Sequence, residues 1–342
     1  MSEATFTTAI DRALALAMAR DERVVVLGED VRMLRRNAYV RFGGDRVLDS
    51  PISESALLGT AMGAAMAGLR PVVEIMFVDF LGVALDQLLN HAAKLDAFTG
   101  GRWQVPMVVR AACGGGYGDA GQHEQSLWGL LAGIPGLTVV VPSTPADAAG
   151  LMLAAIEHPG PVVFLEHKLL SEQWLHYLGG TSRGSVRFDV PTAGARGDVA
   201  DEPDPVPIGR AALRRDGADL AMVSLGVGTH RCLESAEVLA AEGLSAAVLD
   251  LRSVEPLDRD AVVQLARRTG RVLVVDEDYT RGGLSGEVAA LLAERGVTAP
   301  YARVTTEETI PYARALEDAV LPNVPRIVET ARQLMDRAGG GI

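Results

Sequence analysis

The sequence predicts an α/β protein built from two doubly wound domains. Three observations predict it. β-rich runs alternate with helical ones from Val24 to Leu165, which implies a mostly parallel sheet covered on both faces. From about Gly179 to Pro207 the composition turns to Gly, Pro, Asp and Arg without apolar periodicity, the mark of an interdomain linker. The alternation then resumes at Leu220. A chain of 342 residues exceeds one ordinary domain, and 37 glycines with 5% aromatics suit aliphatic layers joined by many tight turns. The expected division is 1–178, a linker at 179–207, and 208–342.

Each element has its own reason. Ile10, Leu14, Ala17 and Met18 recur at helical spacing over Thr7 to Arg20, and Asp21 closes that helix before a strand, Val24 to Leu27. Gly28-Glu29-Asp30 then forms a polar turn at the strand's end, where an open parallel sheet presents residues to a ligand. From Ser53 to Leu69 the only charge is Glu54, and Gly59, Gly63 and Ala67 recur four apart, a flat stripe on one helical face. Glycine inside a helix costs about 1 kcal/mol relative to alanine, so the stripe predicts a buried helix with another backbone packed against it. Gly68 suits a left-handed cap, Pro71 stops continuation, and Val72 to Phe77 reads as a strand interrupted by Glu74. Leu81 to Phe98 reads as one amphipathic helix, Val105 to Arg110 as a strand, and Ala111 to Gly121 as a loop whose five glycines deny it regular structure. His123 follows that loop, ahead of a helix from Leu127 to Ala132. Strands at Thr138 to Val141 and Val162 to Leu165 flank a helix from Ala146 to Glu157. The second domain reads as strands 220–225, 246–251 and 272–275, helices 231–242, 258–269 and 285–295, and a closing amphipathic helix over 324–337.

Several function classes are excluded or weakened. A formal charge of −12 without a basic run argues against nucleic acid as a partner. The longest uncharged stretch, Gln125 to Ala146, is broken by Pro135, Pro142 and Pro145, so no membrane segment is expected. With no secretory signal visible, the expected location is cytoplasmic. Cys113 and Cys232 lack paired spacing, which supports neither a disulfide framework nor a thiolate metal site. A Walker loop, a histidine-rich metal cluster and a Gly-x-Ser-x-Gly elbow are absent, leaving simple hydrolase chemistry without support. A partial dinucleotide fingerprint does occur: strand 220–225 runs into Gly226-Val227-Gly228, Asp250 ends the next strand, and Arg231 replaces the third glycine. A dinucleotide-binding oxidoreductase is thus one reading.

Locally, Glu54 has two readings. A carboxylate in the first turn of a helix complements the helix dipole, the commoner role, or it serves a site. His123, at a loop-to-helix junction, is likewise a cap or a functional group.

Six motifs decide between these readings together. Asp49-Ser50-Pro51-Ile52-Ser53-Glu54, Gly63-Ala64-Ala65-Met66-Ala67-Gly68-Leu69-Arg70-Pro71, Asp86-Gln87, Gln122-His123, Ile134-Pro135-Gly136-Leu137 and Arg252-Ser253-Val254-Glu255-Pro256-Leu257-Asp258 stand in one order over nearly the whole chain. In them the sequence resembles the β subunits of the thiamin-diphosphate-dependent 2-oxoacid dehydrogenases, including the pyruvate, branched-chain and acetoin enzymes. The resemblance implies a pyrimidine-binding domain joined to a transketolase C-terminal-like domain. It also gives Glu54 a chemical role. A carboxyl against a pyrimidine nitrogen supports the imino tautomer that removes the thiazolium proton, and burial would raise its pKa while the helix dipole opposes the rise. By the same resemblance Phe80 stacks on the pyrimidine, Ile52 and Met76 are its apolar neighbours, Glu29 is an acid close to Glu54, and His123 handles protons and developing charge around the 2-oxoacid and its lipoyl acceptor.

The family holds the diphosphate and Mg2+ with Gly-Asp-Gly followed by Asn, whereas the Gly-Asp pairs here continue as Gly44-Asp45-Arg46, Gly118-Asp119-Ala120 and Gly197-Asp198-Val199. The resemblance therefore implies half a cofactor site. An α subunit supplies the Mg2+-holding half in an α2β2 tetramer, which delivers acyl groups to a lipoyl-bearing dihydrolipoyl acyltransferase. Three positions depart from the pattern. A short basic segment, Arg32 to Arg36, replaces a longer glycine-containing loop between Asp30 and Tyr39. Glu124 stands where serine is usual, and would raise the pKa of His123 or face solvent. His158 replaces an aspartate at a potassium-binding turn, where the carbonyls of Ala155 and Ile156 would remain as ligands. A non-catalytic assembly partner with the same fold is the alternative that these departures leave open.

Overall fold

A computed structural model of the chain describes residues 1–179, 188–191 and 194–339. Among these residues the strands form a seven-stranded sheet, a five-stranded sheet and a two-stranded ribbon. In the first sheet the order is Ser253–Glu255, Thr138–Val140, Val162–His167, Val108–Cys113, Arg70–Phe77, Val24–Gly28, Val47–Asp49, all parallel except the first. The second sheet runs Tyr301–Thr306, Val272–Tyr279, Leu220–Ser224, Ala246–Asp250, Ala212–Arg215, with the last strand antiparallel. Two doubly wound α/β layers are thus observed, as the alternation predicts.

The helices lie where their apolar faces find the sheets. Phe6–Arg20 starts at Thr5, whose side chain accepts the Thr8 N–H, and buries Phe6, Ile10, Leu14 and Met18. Beside it packs Pro145–Glu157, capped by Thr144 and opened by a proline that needs no hydrogen bond there. Glu54–Met66 covers the other face through Leu57, Leu58, Ala61 and Ala65. One apolar cluster runs from these residues through Val109 and Leu165 to Val223, Leu249 and Leu291, so the two domains share a core.

Three expectations are corrected, and one strand appears that the sequence did not announce. The stretch read as one helix over Leu81 to Phe98 is a 3-10 segment Val78–Ala84, a π-helical turn Gln87–Ala92 and a short helix Leu95–Phe98. Its buried positions explain the change: Leu81 and Ala84 are three apart, as a 3-10 turn requires, whereas Ala84, Leu88 and Ala92 are four apart. Among the described residues, the glycine stripe of the Glu54–Met66 helix meets no second backbone. A Cβ on Gly63 would touch nothing within 4 Å, and one on Gly59 would touch only the Gln87 side chain at 3.4 Å. The helix is therefore buried on one side only. The linker is not wholly irregular either, because Arg196–Val199 pairs antiparallel with Ser2–Thr5 at the N-terminus; its residues 180–187 and 192–193 lie outside the described residues. Finally, Ser253–Glu255, on the far side of the linker in sequence, adds an edge strand to the first sheet, a pairing too short to leave a period in the sequence.

Candidate active site

Parallel strands collect their carboxyl ends at one rim, and the site residues follow those ends. Glu29 follows the Val24–Gly28 strand. Glu54 opens its helix a few residues after Val47–Asp49, and Phe80 lies just past Arg70–Phe77. His123 comes from the loop after Val108–Cys113, and Lys168 follows Val162–His167. Chain topology alone thus brings residues far apart in sequence to one edge.

Phe80 and His123 meet edge to face, ring centres 5.5 Å apart. Phe77 lies between them and the interior, 5.6 Å from Phe80 and 5.5 Å from His123, and packs on Trp174 at 5.3 Å. Met76 joins the same apolar group. Edge-to-face rings fix one another's orientation, because the positive edge of one points at the negative face of the next. Glu29 titrates above the usual carboxylate range, first through partial burial and then through the charges of Asp30 and Glu54. Glu54 is thus close enough for its charge to act on Glu29. Ile52 is 73% exposed, an apolar side chain standing in solvent beside them.

The loop bearing His123 is held from below. Lys168, fully buried, donates from Nζ to the His123 carbonyl and lies 5.0 Å from the Phe77 and Tyr117 ring centres. Glu124 neither faces solvent nor engages the His123 ring among its hydrogen bonds: it turns inward and accepts the Tyr117 and Asp119 N–H groups at 2.8 and 3.1 Å. The serine-to-acid departure thus serves the loop backbone. Asp79, which no sequence motif singles out, accepts from the Gln125 side chain at 2.7 Å, and Gln125 accepts the Tyr279 hydroxyl at 3.1 Å. Burial raises the Asp79 pKa. Its signal in the sequence is a lone acid beside Phe80, but Gln125 and Tyr279 become its neighbours only through the fold.

The basic segment also behaves differently from a pocket loop. Residues 31–42 form two short helices, Val31–Leu34 and Arg36–Phe42. Arg35 turns inward and binds Glu74 through Nε at 2.6 Å and Nη2 at 2.9 Å, while Nη1 reaches Asp11 and Gln173 at 3.0 and 2.9 Å. Arg110 adds a bond to Glu74 at 3.0 Å and also pairs with Glu166. Glu74, the charge that seemed to interrupt a strand, is the centre of this network, and the two guanidinium groups outweigh burial to hold its pKa down to about 2.

Two sequence readings lose support. The Ile156 carbonyl, expected as a potassium ligand, accepts from the Arg70 guanidinium at 2.6 Å, and the Ala155 carbonyl accepts the His158 N–H at 3.3 Å. A fixed positive charge stands where the ion would be, so these residues do not fit potassium. Gly226 and Gly228 are buried at the start of the Gly226–Ala241 helix, where a Cβ on Gly228 would collide with Ser224 Oγ. Asp250, the would-be ribose ligand, is fully buried and accepts from Ser143 at 2.9 Å and Arg214 at 2.8 Å. Neither feature offers a surface to a dinucleotide.

Comparison with known proteins agrees with this arrangement. Residues 2–173 match the transketolase pyrimidine-binding domain and residues 209–327 the transketolase C-terminal domain. Among curated proteins, the 2-oxoisovalerate dehydrogenase β subunit of Bacillus subtilis is 38% identical over 98% of this chain and 100% of its own length. The chain belongs to the transketolase-like family of 2-oxoacid and acetoin dehydrogenase β subunits. The β subunits of the B. subtilis acetoin:2,6-dichlorophenolindophenol oxidoreductase and pyruvate dehydrogenase E1 component are 37% and 36% identical, covering 97% and 98% of this chain and 97% and 100% of their own. A solved split-gene transketolase, an inactive β4 tetramer, superposes with a TM-score of 0.77 over 97% of this β-subunit-like chain and 98% of its own, at 24% identity, a likeness of fold. Among the described residues no helix is long and apolar enough to cross a membrane.

Proposed function

We propose that this chain is the β half of a thiamin-diphosphate-dependent dehydrogenase of a 2-oxoacid, or of acetoin, completed by an α subunit in an α2β2 tetramer. The observation that carries the reading is that the strand ends put Glu29, Glu54 and the Phe80–His123 ring pair at one rim, with the charge of Glu54 acting on Glu29. The donor set fits the cofactor's aminopyrimidine: a carboxyl able to hold a proton at a ring nitrogen, a second acid to exchange it, and a half-exposed aromatic face. When bound, the cofactor supplies a carbon nucleophile towards the 2-oxo carbonyl.

Glu54 would hold the proton against the pyrimidine, and Glu29 would tune or relay it. Phe80 would give the ring its platform, with Met76 and Ile52 as apolar walls. His123 would serve the acyl group and its acceptor, a lipoyl arm of a dihydrolipoyl acyltransferase. Mg2+ and the diphosphate belong to the α subunit in this reading, since none of the Gly-Asp pairs here continues to glycine. The free, buried Cys113 and Cys232 are compatible with the cytoplasm.

Reconstitution tests the proposal. With thiamin diphosphate, Mg2+ and an α chain carrying Gly-Asp-Gly and Asn, the pair should release carbon dioxide from at least one of several 2-oxoacids, or cleave acetoin, while this chain alone does neither. Assembly without any turnover across that panel would favour the non-catalytic partner instead.

A further inference from the structure

The glycine loop before His123 is clasped between the domains. A Cβ on Gly115 would lie 2.6 Å from Leu321, and one on Gly118, at φ +74°, would lie 3.3 Å from Arg314. From the second domain the Arg314–Val320 helix sends Glu317, fully buried, to accept the Gly118 N–H at 2.6 Å. From the first, Glu124, also fully buried, accepts the Tyr117 and Asp119 N–H groups with Oε1. The two carboxyls hold the consecutive amides of Gly118 and Asp119, one from each domain, and the Oε2 atom of each is buried without a hydrogen-bond donor. Two carboxylates cannot bond without a proton, because each offers only acceptors.

We propose that Glu124 and Glu317 share one proton across the domain boundary and act as a positioning pair for His123, fixing the loop from which its imidazole projects. The inference rests on the reading of His123 as the residue that serves acyl transfer. The charged and titratable groups facing the pair are Lys168 and Tyr117 on the first-domain side, Asp119 in the loop, and Arg314, whose Nη1 is 3.6 Å from Glu317 Oε2. Burial, reinforced by Glu317, pushes Glu124 up to about 9, so the shared proton stays through neutral pH and leaves in the alkaline range. Its loss would set two negative charges side by side beneath the loop.

Glutamine discriminates position from mere packing. In E317Q the amide oxygen can still accept the Gly118 N–H and the amide nitrogen can donate to Glu124, with no proton left to lose. In the holoenzyme assembled with its α subunit, we expect E317A to slow lipoyl acylation about 10- to 100-fold, while thiazolium proton exchange, which Glu54 governs, stays at the wild-type rate. E317Q should restore acylation to within about twofold and abolish the wild-type fall in acylation above about pH 9. Wild-type acylation by E317A would overturn the pair's role. So would an E317Q enzyme that keeps the wild-type alkaline fall, which would then belong to Lys168 or Tyr117. A control, His123→Ala, separates the two levels: if it acylates normally, the reading of His123 and the pair fall together, whereas a crippled H123A beside an unaffected E317A overturns the pair alone.

Discussion

Single side chains at the rim divide the labour by what surrounds them. Glu29 feels the charge of Glu54, whereas His123 is seated on rings and tied through its carbonyl to Lys168. That separation predicts separable defects. Replacing His123 with alanine should lower acyl transfer to lipoamide by roughly 10²- to 10⁴-fold, the range of a lost acid–base group, with little change in cofactor binding measured by calorimetry. Equal losses in both would place His123 at the cofactor instead. Glu54, Phe80 and His123 were singled out in the sequence by motif and by the resemblance, and the structure brings Phe80 and His123 into ring contact. Asp79, Lys168 and Glu317 were not, because their partners come from other strands and, for Glu317, from the other domain.

At the scale of elements, the strand Arg70–Phe77 shows why a charge in a buried run need not interrupt it. Glu74 exchanges its lost hydration for bonds from Arg35 and Arg110, and so becomes a fixture beneath the site. Arg35→Ala leaves that carboxylate buried with one guanidinium fewer and should cost about 3–5 kcal/mol in urea unfolding; a loss under about 1 kcal/mol would show the network to be dispensable. The pH dependence has a definite sign. Because Glu74 in the fold titrates near 2, below its ordinary value of 4.5, its contribution is present above about pH 4.5 and is lost as pH falls through about 2. The helices Phe6–Arg20 and Pro145–Glu157 and the strands Val24–Gly28, Arg70–Phe77 and Val162–His167 were legible from period and breakers, whereas the short strands Ser2–Thr5 and Val47–Asp49 and the two helices of 31–42 were not. The helix read over Leu81 to Phe98 was not, because apolar spacing of three and four admits an α-helix as readily as the 3-10 and π turns observed. The glycine stripe suggested a second backbone packed close, but among the described residues only the Gln87 side chain comes near it, at Gly59.

Across the whole molecule, buried polar ties fasten the second domain to the first. Trp128 Nε1 donates to Asp276 at 2.9 Å, the Gly129 N–H to Asp278 at 2.7 Å, and Glu277 binds both His167 at 2.9 Å and the Gly115 N–H at 2.8 Å. Burial, then the nearby Asp278, pushes Asp276 up to about 7. Its neutral form is the one the fold favours, so stability from this group is full below the ordinary carboxylate range and is lost as pH rises through about 7. Trp128→Phe removes a donor that favours the charged form. It should cost about 1–3 kcal/mol, more at pH 8 than at pH 5 when followed by circular dichroism in urea; an equal cost at both would separate Asp276 from the effect. Two domains were legible from composition, but the shared core and the edge strand Ser253–Glu255 were not, since pairing between distant segments leaves no local period.

The central claim is that this chain holds the proton-handling half of a cofactor site, with Glu54 at its centre. The most direct test is exchange of the thiazolium proton of thiamin diphosphate, followed by quenched-flow NMR in the proposed α2β2 assembly. Glu54→Gln should slow that exchange by roughly 10²- to 10⁴-fold while the tetramer still forms and binds cofactor. Exchange at the wild-type rate in that variant would contradict the account.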